Sequence, residues 1–453
     1  MNEYTTIISN QNQTTVFFQK TLLVLTVSLG LNFVPNIIFP YFDVAPYAGV
    51  TFFLFLYLVS RGLNNVLNTF YIFYQANKRF RVIILPIYFL FLFELFRFPI
   101  NPGISIYMFV ILPILLFVFF LFIIDIYTNF CNNQIQIFLD KYVNSYFKLC
   151  NIIVILSGII FILIKIGAVD LNQWNDISLY GNDFKVRQEY LSGEAFVNPF
   201  YITVISPFFV KSANFFGEYG TFCGWSYEPH VACFLLTPAF LMINYFEKNR
   251  IKKYLLIASY LLFYLLSLSL TAIIGLLIVL LVYVIGLKNR SAKQKLFIIF
   301  SFLVFSFSIP LIYEYFSDEI LYSQDKFESQ TTDSSSYGVT FNYIFSPSTF
   351  FGDGLLKAPN GGDVSFSTGE SSTTNSLDIG IIPFINFLWF YSVIIFFSFH
   401  TSFKNKEFGF IGLILIYIIF HSMKFPFHVF HYPIVFLFYF ILSVVPKDSE
   451  IIT

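Results

Sequence analysis

Long apolar runs, each broken by a short cluster of polar or basic residues, make up most of this chain. They recur at 21–39, 44–60, 82–97, 104–124 and 149–169, then at 228–246, 254–287, 296–313, 379–400, 408–422 and 429–445. An α-helix needs about 20 residues to cross a hydrocarbon core. Backbone polar groups at that depth find partners only inside a helix or a closed barrel. The pattern therefore predicts an all-α polytopic integral membrane protein. The run 254–287 is apolar for 34 positions and basic on both flanks. It predicts a hairpin of two short helices turning near Ser267 to Thr271, which brings the count to twelve spans.

Basic residues orient the spans, because cytoplasmic loops carry the excess of Lys and Arg. Arg61, Lys78, Arg79 and Arg81 mark one inner loop; Lys248, Arg250, Lys252 and Lys253 mark another. Lys288, Arg290, Lys293 and Lys295 mark a third, and Lys404 and Lys406 a fourth. Lys447 places the C-terminus inside, and Lys20 places the N-terminus there too. Segment 125–148, with Lys141 and Lys148, reads as an amphipathic connector on the inner face. Outside lie the large polar loops 170–227 and 314–378 and the short turn 421–433. Within the first of these, 196–213 is apolar but holds Asn198, Pro199, Pro207 and Lys211. A full crossing there would invert every later loop, so the segment is expected to be re-entrant or interfacial. Run 21–39 lacks a small-residue cleavage site and reads as an uncleaved first span. A single membrane domain thus covers 1–453.

Composition agrees with lipid as the solvent. Of the 453 residues 57% are hydrophobic and 11% charged, against about 25% charged in a soluble globule. The 65 Phe and 30 Tyr suit a lipid-facing surface and its interfacial belts. Net charge is zero, so nothing points to nucleic acid. Cys131, Cys150, Cys223 and Cys233 are scattered without metal-ligand spacing. His421, His428 and His431 match no strong zinc motif, so neither metal nor cofactor is expected. No phosphate-binding Gly-x-x-x-x-Gly-Lys loop is present, which argues against an ATP-driven pump.

The most distinctive stretch is GEYGTFCGWSYEPHVACFLLTPAF, Gly217 to Phe240. Its polar, glycine-rich half meets its apolar half at Glu228-Pro229-His230. Pro229 suits the first position of a helix, where its missing N–H costs nothing. Glu228 then sits against the positive end of the macrodipole. A capped helix start explains the carboxylate alone; it does not explain Gly224, Trp225 and His230 around it. GWSYEPHVACFLL resembles the glycine–aromatic–Glu–Pro motif that opens a transmembrane helix in bacterial O-antigen and capsular polysaccharide polymerases, and more loosely in O-antigen ligases. SLSLTAIIG (267–275), PSTFFGDGLL (347–356) and TTNSLDIGIIPF (373–384) are also similar to that superfamily. Thr374 stands where ligases carry His, and the usual arginine upstream of the Gly-x-Gly turn is missing. Both departures favour polymerase over ligase.

The resemblance implies a membrane glycosyltransferase in the bacterial inner (cytoplasmic) membrane. It would join polyprenyl-diphosphate-linked oligosaccharide repeats at the outer face, beside membrane lipid and with a chain-length regulator as a possible partner protein. Such a reaction needs a base for the attacking hydroxyl, and Glu228 and His230 are the catalytic candidates. The diphosphate needs cations at headgroup depth, for which Arg187, Lys211, Lys185 and Lys424 are the candidates. Arg187 is the one arginine after the first hundred residues assigned to the outside; pairing with Glu189 or Asp183 is its plain alternative. Lys211 lies in an apolar stretch, where a charge is costly, although snorkelling would relieve it. Trp225, Tyr227 and Asn375 are the glycan-binding candidates. A polysaccharide flippase or other secondary transporter is the alternative reading, kept open by Glu94, Arg97 and Lys165 near span ends.

Overall fold

The computed structural model describes residues 46–97, 112–169, 203, 205–206, 221–224, 226, 229–267, 269–286, 381–405, 407–422 and 433–446. These residues form helices, apart from one two-residue strand pair. In chain order the helices are α1 (Pro46–Arg61), α2 (Leu63–Ala76), α3 (Lys78–Arg97) and α4 (Leu112–Asp125), which continues into a π-helical turn, Ile126–Phe130. Next come α5 (Ile135–Lys165), α6 (Pro229–Phe246), α7 (Arg250–Ser267) and α8 (Leu270–Gly286). The last three are α9 (Ile381–Lys404), α10 (Gly409–Ser422) and α11 (Pro433–Val444). Two of them, α5 and α6, are long and apolar enough to cross a membrane; shorter apolar helices accompany them. Spans expected at 21–39 and 296–313 lie outside the described residues, as does loop 314–378.

The chain divides into two compact units. One comprises Met1–Gln75, Val118–Ile273 and Tyr432–Leu437; the other comprises Ala76–Phe117, Ile274–His431 and Phe438–Thr453. In the first, Phe147 of α5 packs on Phe246 of α6, and α1 meets the end of α4 through Arg61 and Asp125. The opposite end of α5 gathers Ile160, Ile164 and Val169 with Leu266 of α7 and with Ile205 and Phe222. Those last two belong to strands β1 (Ile205–Ser206) and β2 (Thr221–Phe222), which pair antiparallel with Ile205 opposite Phe222. Part of the stretch expected to be re-entrant is thus an extended ribbon strand held against the motif stretch.

In the second unit, helix ends converge. Asn77 and Arg79 at the start of α3 donate to the Ser443 and Val445 carbonyls at the end of α11, at 3.2 and 3.0 Å. These bonds satisfy acceptors that a helix C-terminus leaves open. Asn405, just past α9, donates to the Pro446 carbonyl at 3.1 Å. A Cβ on Gly286, the last residue of α8, would stand 2.7 Å from the Phe403 ring of α9. Farther along, a Cβ on Gly275 would stand 2.9 Å from the Tyr417 ring of α10, so a small residue permits that approach.

Three expectations change. Segment 125–148 is not a loop: α4 runs into its π-turn, the chain reverses over Cys131–Gln134, and α5 already starts at Ile135. Asn132 and Asn133 make that reversal at φ 51° and 58°, a region asparagine tolerates better than most residues. The inner loop around Arg61 to Arg81 is also helical, as α2 and the start of α3. His421, expected in the outer turn, is fully buried in the last turn of α10, its ring 5.8 Å from that of Tyr417. The break in 254–287, by contrast, falls where expected, between Ser267 and Leu270. Ser269 caps the second helix there, accepting from the Ala272 N–H at 3.4 Å.

Candidate functional site

The chain reaches the helix mouth through a tight, buried turn. Cys223, Gly224 and Ser226 are buried, and the Ser226 N–H donates to the Cys223 carbonyl at 3.0 Å. Gly224 has φ +56°, where side chains with a Cβ are strained. A Cβ there would meet Ile153 at 3.3 Å, Phe263 at 3.6 Å and Leu236 at 3.7 Å. The glycine of the motif is therefore the residue that lets the chain pass between α5, α6 and α7.

Helix α6 then starts at Pro229, which occupies its first position, and His230 follows half-buried in the first turn. Glu228 is the preceding residue in sequence. Its side chain, and those of Trp225, Tyr227, Lys185, Arg187, Lys211, Asn375 and Lys424, lie outside the described residues. Among the sequence-predicted site residues, His230 is thus the one whose surroundings are defined.

Below the mouth, α6 is held by a buried polar seam that hydropathy alone does not reveal. Pro238 lies inside α6 and cannot donate to the carbonyl one turn back, so the helix is loosened there. Side-chain hydrogen bonds cluster near that point. The Tyr146 hydroxyl donates to the Leu235 carbonyl, and Thr237 Oγ1 donates to the Cys233 carbonyl at 2.6 Å. Thr237 Oγ1 also lies 2.9 Å from the Tyr264 hydroxyl, and Cys233 Sγ lies 3.1 Å from Ser267 Oγ. Between α5 and α7, the Tyr260 hydroxyl donates to Asn151 Oδ1 at 3.1 Å. Each group is an expensive passenger in an apolar setting unless it finds a partner. The bonds from Tyr146, Tyr264 and Ser267 tie α6 to α5 and α7.

A second polar cluster escaped the sequence reading. Asp125, 1% exposed at the end of α4, accepts from the Tyr57 hydroxyl at 2.7 Å, from Arg61 Nε at 3.0 Å and from Asn129 Nδ2 at 2.6 Å. The Arg61 guanidinium also lies over the Phe130 ring, 5.0 Å from its centroid. The available signal was a lone aspartate closing an apolar run, which hydropathy treats as a boundary. Cys131, Cys150, Cys223 and Cys233 are buried thiols that form no disulfide. Burial pushes the Cys131 thiol, in the turn before α5, up to about 12, which leaves it protonated near neutral pH.

No protein-family model, no curated protein and no solved structure matches this chain.

Proposed function

We propose that the chain is a multi-pass membrane glycosyltransferase that polymerises lipid-linked oligosaccharide repeats at the outer face of the bacterial inner membrane. The observation that carries this reading is the start of α6 at Pro229, behind the left-handed Gly224, in the stretch that resembles the polymerase motif. The packing of helix ends supports the topology it needs. The start of α3 and the ends of α8, α9 and α11 meet in one unit, and the positive-charge pattern assigns all four to the inside. In the other unit, the ends of α5 and α7 that meet the β1–β2 ribbon are assigned to the outside.

In the reaction, a sugar hydroxyl of the new lipid-linked repeat attacks the anomeric carbon that joins the growing chain to its diphosphate. The carbon–oxygen bond to the diphosphate breaks, and its electron pair leaves with the diphosphate. The hydroxyl proton passes to the Glu228 carboxylate, with His230 beside it in the first helical turn. Arg187, Lys211, Lys185 and Lys424 offset the charge that develops on the leaving diphosphate. Trp225, Tyr227 and Asn375 hold the glycan. The reaction itself calls for no cofactor.

Deletion of the gene followed by sizing of surface glycans tests the reading. Single capped repeats are the expected result. Complete loss of glycan would point instead to a flippase, and long chains left on the lipid carrier would point to a ligase.

A further inference from the structure

Helix α2 has a face that the described part of the protein leaves uncovered. Its fourteen residues, LNNVLNTFYIFYQA, include no charged side chain. At about 1.5 Å per residue they make a rod roughly 21 Å long, no shorter than α10, so polarity rather than length sets α2 apart. Three asparagines and a glutamine make a crossing costly. Nor does α2 simply prolong α1. Gly62, at φ +82°, ends α1 in the left-handed conformation that commonly stops a helix, and α2 begins at the next residue.

Helical spacing sorts α2 into three strips. Val66 and Phe73 are buried against the protein, with the Phe73 ring 6.2 Å from that of Tyr127. Asn64, Asn68 and Gln75 form an exposed polar strip. Beside the buried strip lie Leu63, Leu67 and Tyr71, which are 45%, 36% and 61% exposed. This apolar strip is thus continuous with the buried one on one side and meets the polar one on the other. At the Gly62 end it follows α1, where Phe55, Leu56 and Val59 are likewise exposed. Ile72, 59% exposed, stands among the polar positions and breaks the pattern.

We infer that α2 is an interfacial helix, lying along the membrane surface with Leu63, Leu67 and Tyr71 seated in the lipid of the leaflet where α1 ends. The inference rests on the membrane reading of α1 given above. Continuity with the exposed apolar surface of α1 identifies lipid as the occupant, and Tyr71 suits the headgroup boundary, with an apolar ring and a polar tip. Of the flanking cations, Arg61 is committed to Asp125 and Arg79 donates to the Val445 carbonyl, while Lys78, two residues past α2, is exposed. With no charge of its own, α2 is held by apolar area, and anionic headgroups add to this only through the flanking Lys78 and Arg81. A face of this kind sits roughly 5–10 Å below the headgroup boundary.

The test places single cysteines at Leu67, Tyr71, Asn68 and Ile72 in the full-length protein, with Phe55→Cys as a control on α1. Wild type, whose thiols are buried, should take no label. Each variant is first checked for an unchanged melting curve. It is then labelled with an environment-sensitive fluorophore and reconstituted into phosphatidylcholine vesicles containing brominated lipid. Bromines near the carbonyl end should quench positions 67 and 71, whereas those near the chain terminus should not; positions 68 and 72 should escape both. The pattern should already be present without phosphatidylglycerol. Quenching at 55 without quenching at 67 and 71 would refute the surface helix while sparing the membrane reading. No quenching at 55 either would remove both. If 67 and 71 are shielded from lipid and also from an aqueous quencher, another protein segment covers the face and lipid is the wrong occupant.

Discussion

Arg61 Nε lies 3.0 Å from Asp125 Oδ2, joining the last residue of α1 to the last residue of α4 across 64 positions of sequence. The two ends are unequal: the Asp125 side chain is 1% exposed and that of Arg61 is 33% exposed. The carboxylate therefore depends on its partners, while the guanidinium retains water. Asp125→Ala should destabilise the protein by about 3 kcal/mol, near the low end for breaking a buried pair, because Arg61 can turn outward. Replacing both, as Arg61→Met with Asp125→Leu, should cost less than Asp125→Ala alone. Unfolding in detergent measures both, and a double variant weaker than the single one would contradict this account.

The bond from Tyr146 to the Leu235 carbonyl supports α6 where Pro238 loosens it. Tyr146→Phe keeps the ring and removes the donor. A loss of about 0.6–1.7 kcal/mol is expected, the range for polar contacts between membrane helices. The same change at Tyr71, exposed on α2, should be silent in the same unfolding assay.

Gly224 and Gly167 form a matched pair, since both have positive φ but only Gly224 is crowded. Alanine at either meets the cost of a left-handed residue, about 1–2 kcal/mol. At Gly224 the added Cβ must also displace Ile153, so Gly224→Ala should be the more destabilising and should lower polymer output further. Equal effects at the two sites would mean that the turn before α6 is not tightly packed.

Glu228→Gln preserves shape and removes proton acceptance. Loss of a charge at the helix start costs only about 0.3–1 kcal/mol, whereas loss of a general base slows a reaction by about 10²–10⁴-fold. Polymer should vanish while the protein still inserts. His230→Ala should be intermediate. Glu247→Gln should be mild, because Glu247 merely accepts from the Asn249 N–H at 2.8 Å in an exposed turn. Near-native turnover of lipid-linked repeats by purified Glu228→Gln protein would leave Glu228 as a helix cap.

Orientation can be read with an impermeant thiol reagent on intact cells. Ala168 and Lys252 are both exposed, one beyond the C-terminal end of α5 and the other near the start of α7. Ala168→Cys should label directly and Lys252→Cys only after permeabilisation. The reverse result would invert the proposed topology.

What the sequence made legible was whatever local chemistry decides. Pro229 announced a helix start because proline tolerates that position. The Ser267–Leu270 break followed from a run too long for one crossing. Failures came where a polar residue finds a distant partner. Arg61 was read as a loop charge because Asp125 is invisible from its own neighbourhood. Segment 125–148 was read as a connector because its Asp, Asn and Lys residues lower hydropathy, yet Phe138, Leu139, Tyr142 and Val143 bury a helical face within it. Hydropathy puts His421 in the outer turn because polar residues begin there, yet it is buried on α10 one turn after Tyr417. Of the candidate site, residues of the turn and the first helical turn are described, and the cations lie outside the described residues.

The β1–β2 pairing also has a consequence for how its surroundings come apart. Ile205 and Phe222 stand opposite each other and share one apolar cluster with Ile160 and Ile164 of α5 and with Leu266 of α7. Neither strand can leave without stripping the other of its partner and wetting that cluster. The ribbon and the two helix ends it touches therefore open as one cooperative unit.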